Sequence, residues 1–555
     1  MHPPVGISSF GELIRARTSE GENFLYIDKT LLIKDLMNDS TKTILFTRPR
    51  RFGKTLTLSM IQHFFAPEVN GIPTQGLFDG LNISKVPGFI ERYQGKIPVI
   101  FISFKDCKFA TYQETRDWIA VLIKQLYRSF DYLLSSDHLS EFNKNDLMPY
   151  FSDNIEDKQI AMSLKFLSEM LYKHHGNTSV HILIDEYDAP IQSGIINGYY
   201  QEIVQLVRAM FGAALKDNDF LNKSVLTGVF QIARESLFSG LNHFESYNVL
   251  SERYSQYFGF TPDEVANICP KEHLADLKEW YNGYIFGSHV IYNPWSVLKF
   301  LKSNFVYKPY WSNTGSDSLL IANFHHEHII GLQELMERKS VPQRIDETLT
   351  FEDLSDRATF WSLMLMTGYV TAKDVPYGEM HHIRFPNKEI HDLFKTLILR
   401  WYSGAKESSV FFSNFLESFI RGNKEDVTKG LQRIILHNLS FHDVGENAQE
   451  SFYHGLMLGF FLGLQGRYEV KSNRESGYGR YDIALIPRNP SKDAGVILEC
   501  KVGKEAALGI LQIQEKGYVA ELKAAGCSRI YLYGLAFNGK RVDVEMAEDI
   551  QASSK

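Results

Sequence analysis

Residues 47–56 read Thr47-Arg48-Pro49-Arg50-Arg51-Phe52-Gly53-Lys54-Thr55-Leu56. A short apolar run, Thr43–Thr47, precedes them, and a helical pattern over residues 56–65 follows. Strand, loop and helix in this order make a phosphate-binding loop, because loop amides and a helix N-terminus offer N–H groups to phosphate oxygens. The loop amides here belong to Arg48, Arg50, Arg51, Phe52 and Gly53. Lys54 then reaches the β and γ phosphates, and the Thr55 hydroxyl binds Mg²⁺. One position departs from G-x-x-x-x-G-K-[S/T]: Arg48 stands where the first glycine belongs. Gly-Lys-Thr also arises by chance, so the loop alone leaves the reading open.

Further along, His181-Ile182-Leu183-Ile184-Asp185-Glu186 is an apolar strand that ends in two carboxylates. In P-loop ATPases the first such carboxylate holds Mg²⁺ and the second orients the attacking water. A buried strand with a solvated acidic turn looks the same in isolation; its order after a Gly-Lys-Thr loop points to ATP or GTP binding. Residues 99–104 and 224–229 are likewise continuously apolar, which suits strands buried on both faces of a parallel sheet. Helical stretches separate these runs, so residues 1–260 are expected to form an α/β domain: a parallel P-loop NTPase sheet with helices on both faces. Thr227 is placed to sense a γ-phosphate from the neighbouring strand, or simply caps that strand. Arg234 could contact phosphate in cis or serve as an arginine finger in trans, which leaves oligomerisation open.

A chain of 555 residues exceeds one hydrophobic core, so two or three domains are expected. Apolar residues at 44% and charged residues at 23% are ordinary globular values. A net charge of -7 argues against bulk nucleic-acid binding while permitting a local basic groove. The four cysteines lie far apart without a C-x-x-C pair, so a reduced, cytoplasmic protein is the simplest reading. The N-terminus lacks a secretory pattern, and no apolar run approaches the ~18–20 residues of a membrane span. Residues 261–438 are mostly helical in pattern, with aromatic-rich connections, and the texture changes again over 439–555.

In that last segment a helix pattern over residues 452–464 precedes strand-like segments at residues 468–471, 481–487 and 495–502. A helix over 506–524 and a last strand over 529–535 follow. Asp482 opens one strand and Glu499-Cys500-Lys501 closes the next. Alternation puts Glu499 and Lys501 on one face, and a hairpin would bring Asp482 alongside. Two carboxylates and a lysine suit Mg²⁺-dependent phosphodiester hydrolysis, the carboxylates holding metal and Lys501 positioning or deprotonating water. Glu450 on the preceding helix could be a further metal-site acid. Lys471, Arg474, Arg480 and Lys504 could contact phosphates of DNA or RNA. A solvated, salt-bridged hairpin face is the alternative for all of these.

The chain resembles a prokaryotic family of AAA-like ATPases that carry a C-terminal nuclease-like domain of the PD-(D/E)xK type. The resemblance is carried by Tyr26-Ile27-Asp28-Lys29-Thr30, the Arg-Pro-Arg-Arg-Phe-Gly-Lys-Thr loop and Asp185-Glu186-Tyr187-Asp188. It continues through Thr227-Gly228, Phe238-Ser239-Gly240-Leu241-Asn242, Trp280-Tyr281-Asn282-Gly283-Tyr284 and Tyr292-Asn293-Pro294-Trp295-Ser296. The family itself carries arginine in place of the first loop glycine. The resemblance implies a restriction-endonuclease-like fold for 439–555, and Gln512, Lys516 and Tyr518 match positions seen in related nucleases. It also implies ATP and Mg²⁺ as ligands and a nucleotide state that controls a nuclease module. A regulatory ATPase whose nuclease-like domain binds without cleaving is the alternative. His325-His326-Glu327-His328 is set aside as a metal site, since only His325 and His328 could share a helix face.

Overall fold

The computed structural model describes residues 2–18, 24–152, 154–216, 218–231, 243–311, 320, 323, 328–336, 340–347, 359–373, 380–403, 409–438, 450–464, 466–472, 475–476 and 479–550. The chain divides into two compact units, Met1–Leu319 with Pro342–Glu389, and Leu320–Val341 with Ile390–Lys555. Residues 261–438, set apart in the sequence as one region, are thus shared between the two. Among the described residues no helix is long and apolar enough to cross a membrane.

The first unit is built on five strands: β1 (Thr43–Thr47), β2 (Val99–Ser103), β3 (Val180–Asp185), β4 (Leu221–Gly228) and β5 (Phe244–Tyr247). They lie in the order β2-β3-β4-β1-β5, and every adjacent pair is parallel. β1 and β3 are buried along their whole length, as continuous apolar strands covered on both faces must be. β5 is invisible to that criterion: Phe-Glu-Ser-Tyr is short and half polar, which an edge strand tolerates. Because β4 lies between β1 and β3, three strand ends converge at one sheet edge. The register sets Thr227 opposite Phe46 and Leu226 opposite Ile184, which brings the loop, Thr227 and Asp185 together. Such an edge is where open α/β sheets bind ligands. Within the stretch read from sequence as mostly helical with aromatic-rich connections, β6 (Tyr284–Phe286) and β7 (His289–Ile291) form a short hairpin.

The second unit holds a mixed sheet of β8 (Tyr468–Ser472), β9 (Ile483–Pro487), β10 (Gly495–Val502), β11 (Arg529–Asn538) and β12 (Arg541–Ile550), in that order. β10 and β11 pair in parallel; the other neighbours are antiparallel. The parallel pair needs a crossover, and two helices supply it. The single helix expected over 506–524 is instead α-helix Ala507–Lys516 and a short one at Ala520–Ala524. The break falls at Gly517, whose φ of 66° ends the first helix in a left-handed cap. Close approach of that first helix to the sheet depends on Gly509, where a Cβ would lie 2.9 Å from the Gly534 Cα. Ile497, Ile513, Leu522, Ile530 and Leu532 form the core beneath.

Candidate functional site

The loop after β1 is anchored at both ends. The Arg48 amide donates to Gly228 O (3.2 Å), and Gly53, at φ 83°, caps the helix Lys54–Phe65 in the left-handed region. Arg51 also has positive φ (72°), so the loop turns twice in a conformation that L residues rarely take. Lys54 is 6% exposed, and its Nζ donates to Arg48 O (2.9 Å) and Pro49 O (3.0 Å). Burial pushes the Lys54 ammonium below its ordinary range, and the nearby Glu186, Asp185 and Asp188 oppose that shift.

Asp185 is wholly buried and ties three strands together. Thr55 Oγ1 donates to its Oδ2 (2.8 Å), Thr227 Oγ1 to its Oδ1 (2.6 Å), and Ser103 Oγ to Oδ2 (3.4 Å). Thr227, expected as a phosphate sensor, thus spends its proton on the acid. Glu186 follows at φ 48°, and burial raises its carboxyl above the usual range, with Lys54 opposing and Asp185 adding to the rise. The acidic turn then grips the end of β4. Val229 N and Phe230 N donate to Asp188 Oδ2 (2.9 and 3.0 Å), and Tyr187 Oη donates to Phe230 O (2.7 Å).

Arg48 does not join the loop residues that face the ligand space. Its side chain is 0% exposed, and Nη1 donates to Thr47 O and Tyr247 O, both at 2.8 Å. The guanidinium lies over the rings of Phe258 (5.0 Å) and Phe286 (5.3 Å), and burial lowers its pKa to about 9. Its neighbours are also held from outside the loop. Trp311 Nε1 donates to Arg50 O (3.2 Å), Arg51 lies 3.6 Å from the Trp295 ring centre, and Phe52 packs edge-on to Tyr284 at 4.9 Å. The arginine at the first loop position is therefore a strut between β1, β5 and an aromatic cluster.

A cavity of about 540 Å³ opens beside the loop, lined by Arg50–Thr55, Glu186, residues 4–8 and residues 25–27. Trp295, Lys105 and Lys108 also line it, and sequence reasoning assigned none of these three a site role. A local signal existed for Trp295: Asn293 Oδ1 accepts from Ser296 N (3.1 Å) and Pro294 opens the helix, which fixes Trp295 in its first turn. No comparable signal marked the lysines. Arg234 lies outside the described residues.

In the second unit the hairpin of β9 and β10 pairs Ile483 with Leu498, which sets Asp482 beside Glu499. The Cys500 amide donates to Asp482 Oδ2 (2.7 Å), the Asp482 amide to Glu499 Oε1 (3.3 Å), and Lys501 Nζ to Glu499 Oε2 (3.2 Å). Glu499 is 1% exposed; burial and then Asp482 raise its carboxyl well above the usual range, while Lys501 opposes them. His454 Nε2 sits 3.0 Å from Asp482 O and 2.9 Å from Ser472 Oγ, a neighbour that sequence reasoning missed. The helix bearing Gln512 packs its Gly509 against Glu499, whose Cβ lies 3.2 Å from where a glycine Cβ would be. Gln512 Nε2 donates to Tyr518 Oη (3.4 Å), and Lys516 is exposed. Lys471, expected at a phosphate, is instead paired with Glu521 (2.6 Å), which also accepts from Tyr481 Oη (2.9 Å). Glu450 opens the helix Glu450–Leu462, but its side chain, those of Arg474 and Arg480, and His325 lie outside the described residues. Among the described residues no three or more His, Cys, Asp and Glu side chains gather as a metal-ion group.

Sheet order and loop geometry define the first unit as a P-loop α/β domain, and the mixed sheet with its Asp482, Glu499 and Lys501 face suits a nuclease-type fold. Comparison with known families agrees. Residues 4–238 match the family described as predicted AAA-ATPase, and residues 448–546 match the PD-(D/E)XK nuclease superfamily. The chain carries an AAA-ATPase-like domain followed by a PD-(D/E)XK nuclease superfamily domain. It is also 26% identical over 562 residues to a protein of Azotobacter chroococcum mcd 1 described as an uncharacterized protein in the vnfD 5' region, with 96% of each chain covered.

Proposed function

We propose that this protein binds and hydrolyses ATP and that its nucleotide state controls a Mg²⁺-dependent nuclease module acting on DNA or RNA. The observation that carries the ATPase reading is Asp185, which accepts from Thr55 and Thr227 at once beside a buried Lys54. In this reading Thr55 and Asp185 are the oxygen donors for Mg²⁺, a hard-donor set that the ion prefers. Lys54 leaves the loop carbonyls for the phosphates, the loop amides hold the phosphate oxygens, and Glu186 orients the attacking water. Burial raises its carboxyl above the usual range, the direction that makes it a better proton acceptor.

In the second unit Asp482 and Glu499 are the oxygen donors for Mg²⁺, with Glu450 as a further acid, and Lys501 positions or deprotonates the attacking water. When bound there, the ion would polarise the phosphodiester and lower the pKa of a bound water. Gln512, Lys516 and Tyr518, at positions that the resemblance to related nucleases singles out, lie on or just after the helix that packs against Glu499, with Tyr518 itself buried in the core. The alternative, binding without cleavage, is favoured by the 1% exposure of Glu499 and by the Cys500 amide already on Asp482.

The test is Mg²⁺-dependent cleavage of mixed DNA and RNA substrates, with and without ATP, comparing wild type with Lys501→Ala. Cleavage that the variant abolishes, and whose rate ATP changes, supports the full reading. Cleavage that ATP does not change leaves two uncoupled activities. Absence of cleavage from every substrate leaves an ATPase with a binding module.

A further inference from the structure

The turn Lys105-Asp106-Cys107-Lys108 follows β2 after Phe104, and its two lysines line the same cavity as the phosphate loop. Cys107 is fully buried and its amide donates to Phe104 O (2.9 Å), so the turn is pinned from beneath. Lys105 and Lys108 stay exposed and line the cavity, and among the described residues neither ammonium has a hydrogen-bond or ion-pair partner.

The charge balance of the cavity wall shows what they face. Among the described residues its cations are Lys29, Arg50, Arg51, Lys54, Lys105 and Lys108, and Glu186 is its one carboxylate. Lys29 is neutralised by Glu264 at 2.7 Å, Arg51 lies on Trp295, and Lys54 is bonded to loop carbonyls. Lys105 and Lys108 add to this wall two cations that have no hydrogen-bond or ion-pair partner among the described residues. Glu186 is near enough to Lys108 for that cation to oppose its upward shift. A wall of point charges around one acid suits a ligand with more negative charge than the loop alone can neutralise. In a nucleotide, that surplus is the terminal phosphate.

Resting on the nucleotide reading of this cavity, we propose that Lys105 and Lys108 are γ-phosphate ligands that select a nucleoside triphosphate over its diphosphate. Both lysines belong to the turn after β2, so loss of the γ-phosphate releases that turn while the loop keeps the β-phosphate.

The test uses the full chain and calorimetric binding of Mg²⁺-AMP-PNP and Mg²⁺-ADP to wild type, Lys105→Ala/Lys108→Ala and Lys105→Arg/Lys108→Arg. Loss of charge-assisted contacts should weaken AMP-PNP binding by about 10- to 100-fold. ADP binding should stay within about twofold, which also reports an intact fold, and the arginine pair should retain the triphosphate preference. Equal weakening of both nucleotides, or AMP-PNP binding unchanged in the alanine pair, overturns the assignment while the nucleotide site stands. Wild type that binds neither nucleotide overturns the reading of the cavity itself.

Discussion

Replacing Arg48 with glycine would restore the usual P-loop pattern, yet the structure predicts damage. The side chain makes two hydrogen bonds of 2.8 Å to Thr47 O and Tyr247 O and lies over two aromatic rings. Charge-assisted hydrogen bonds contribute about 1.5–3 kcal/mol each. A desolvated cation–π contact adds roughly 2 kcal/mol. Against this, Nε and Nη2 are buried without a hydrogen-bond partner, so the native arginine carries a desolvation cost that glycine would remove. Glycine also leaves a cavity and a more flexible loop. The net loss is about 3–5 kcal/mol, the range found when one partner of a buried charged network is removed. In a unit of this size, at about 2 cal/mol/K of unfolding entropy per residue, that corresponds to a fall of roughly 4–7 °C in its thermal transition. Thermal unfolding of Arg48→Gly and Arg48→Met, alongside Mg²⁺-ATP affinity, is the assay. Met keeps volume but leaves both carbonyls unpaired, so it should fall between wild type and Gly in stability. Arg48→Gly with unchanged melting and unchanged or tighter ATP binding would refute the strut and restore the motif-based view.

Thr227→Val removes the hydroxyl that donates to Asp185, so its ATPase kcat should fall about 10- to 100-fold. An unchanged rate would mean that the Asp185 contact does not position the acid. Glu186→Gln should reduce ATP turnover at least as far as a lost general base does, about 10²- to 10⁴-fold, while Mg²⁺-ATP still binds; a surviving rate assigns the water to another group. Buried Glu389 accepts from Ser296 Oγ (2.7 Å) and Trp311 N (2.8 Å), and burial raises its pKa to about 7. The folded state therefore binds a proton that the unfolded state releases near pH 4.5, so stability falls between pH 4.5 and 7 and is flat below. Two and a half pH units make that fall about 3 kcal/mol, and Glu389→Gln should melt with a shallower pH slope than wild type over this window. Equal slopes would show that Glu389 is ionised in the fold. Gly283→Ala should destabilise the first unit, because φ is 100° and a Cβ would lie 2.1 Å from Pro386 O; a melting temperature within a degree of wild type would contradict that placement.

Local pattern carried the sequence reading a long way. Continuous apolar runs marked four of the five parallel strands, since a strand buried on both faces cannot hide its composition. The Gly53-Lys54-Thr55 and Asp185-Glu186 pairs were legible because their chemistry needs those residue types in that order. Alternation placed Glu499 and Lys501 on one face, and hairpin pairing of β9 with β10 brings Asp482 to it. The strand Phe244–Tyr247 was missed because an edge strand needs few apolar residues, and the break at Gly517 because helix periodicity runs across it.

What lay beyond the sequence was every decision made between distant segments. The residue type at position 48 is plain to read, but not that its guanidinium turns inward to Tyr247, Phe258 and Phe286, about two hundred positions away. Thr227 looked free to meet phosphate, and Lys471 to meet nucleic acid. In the fold Thr227 donates to Asp185 and Lys471 pairs with Glu521, contacts between segments far apart in the sequence. Lys105 and Lys108 carry no motif; only packing brings them, with Trp295, to the cavity wall. Residue type and local period thus determined the elements and the chemistry available to this chain. Which side chains meet, and which are already spoken for, depends on contacts that no short window of sequence contains.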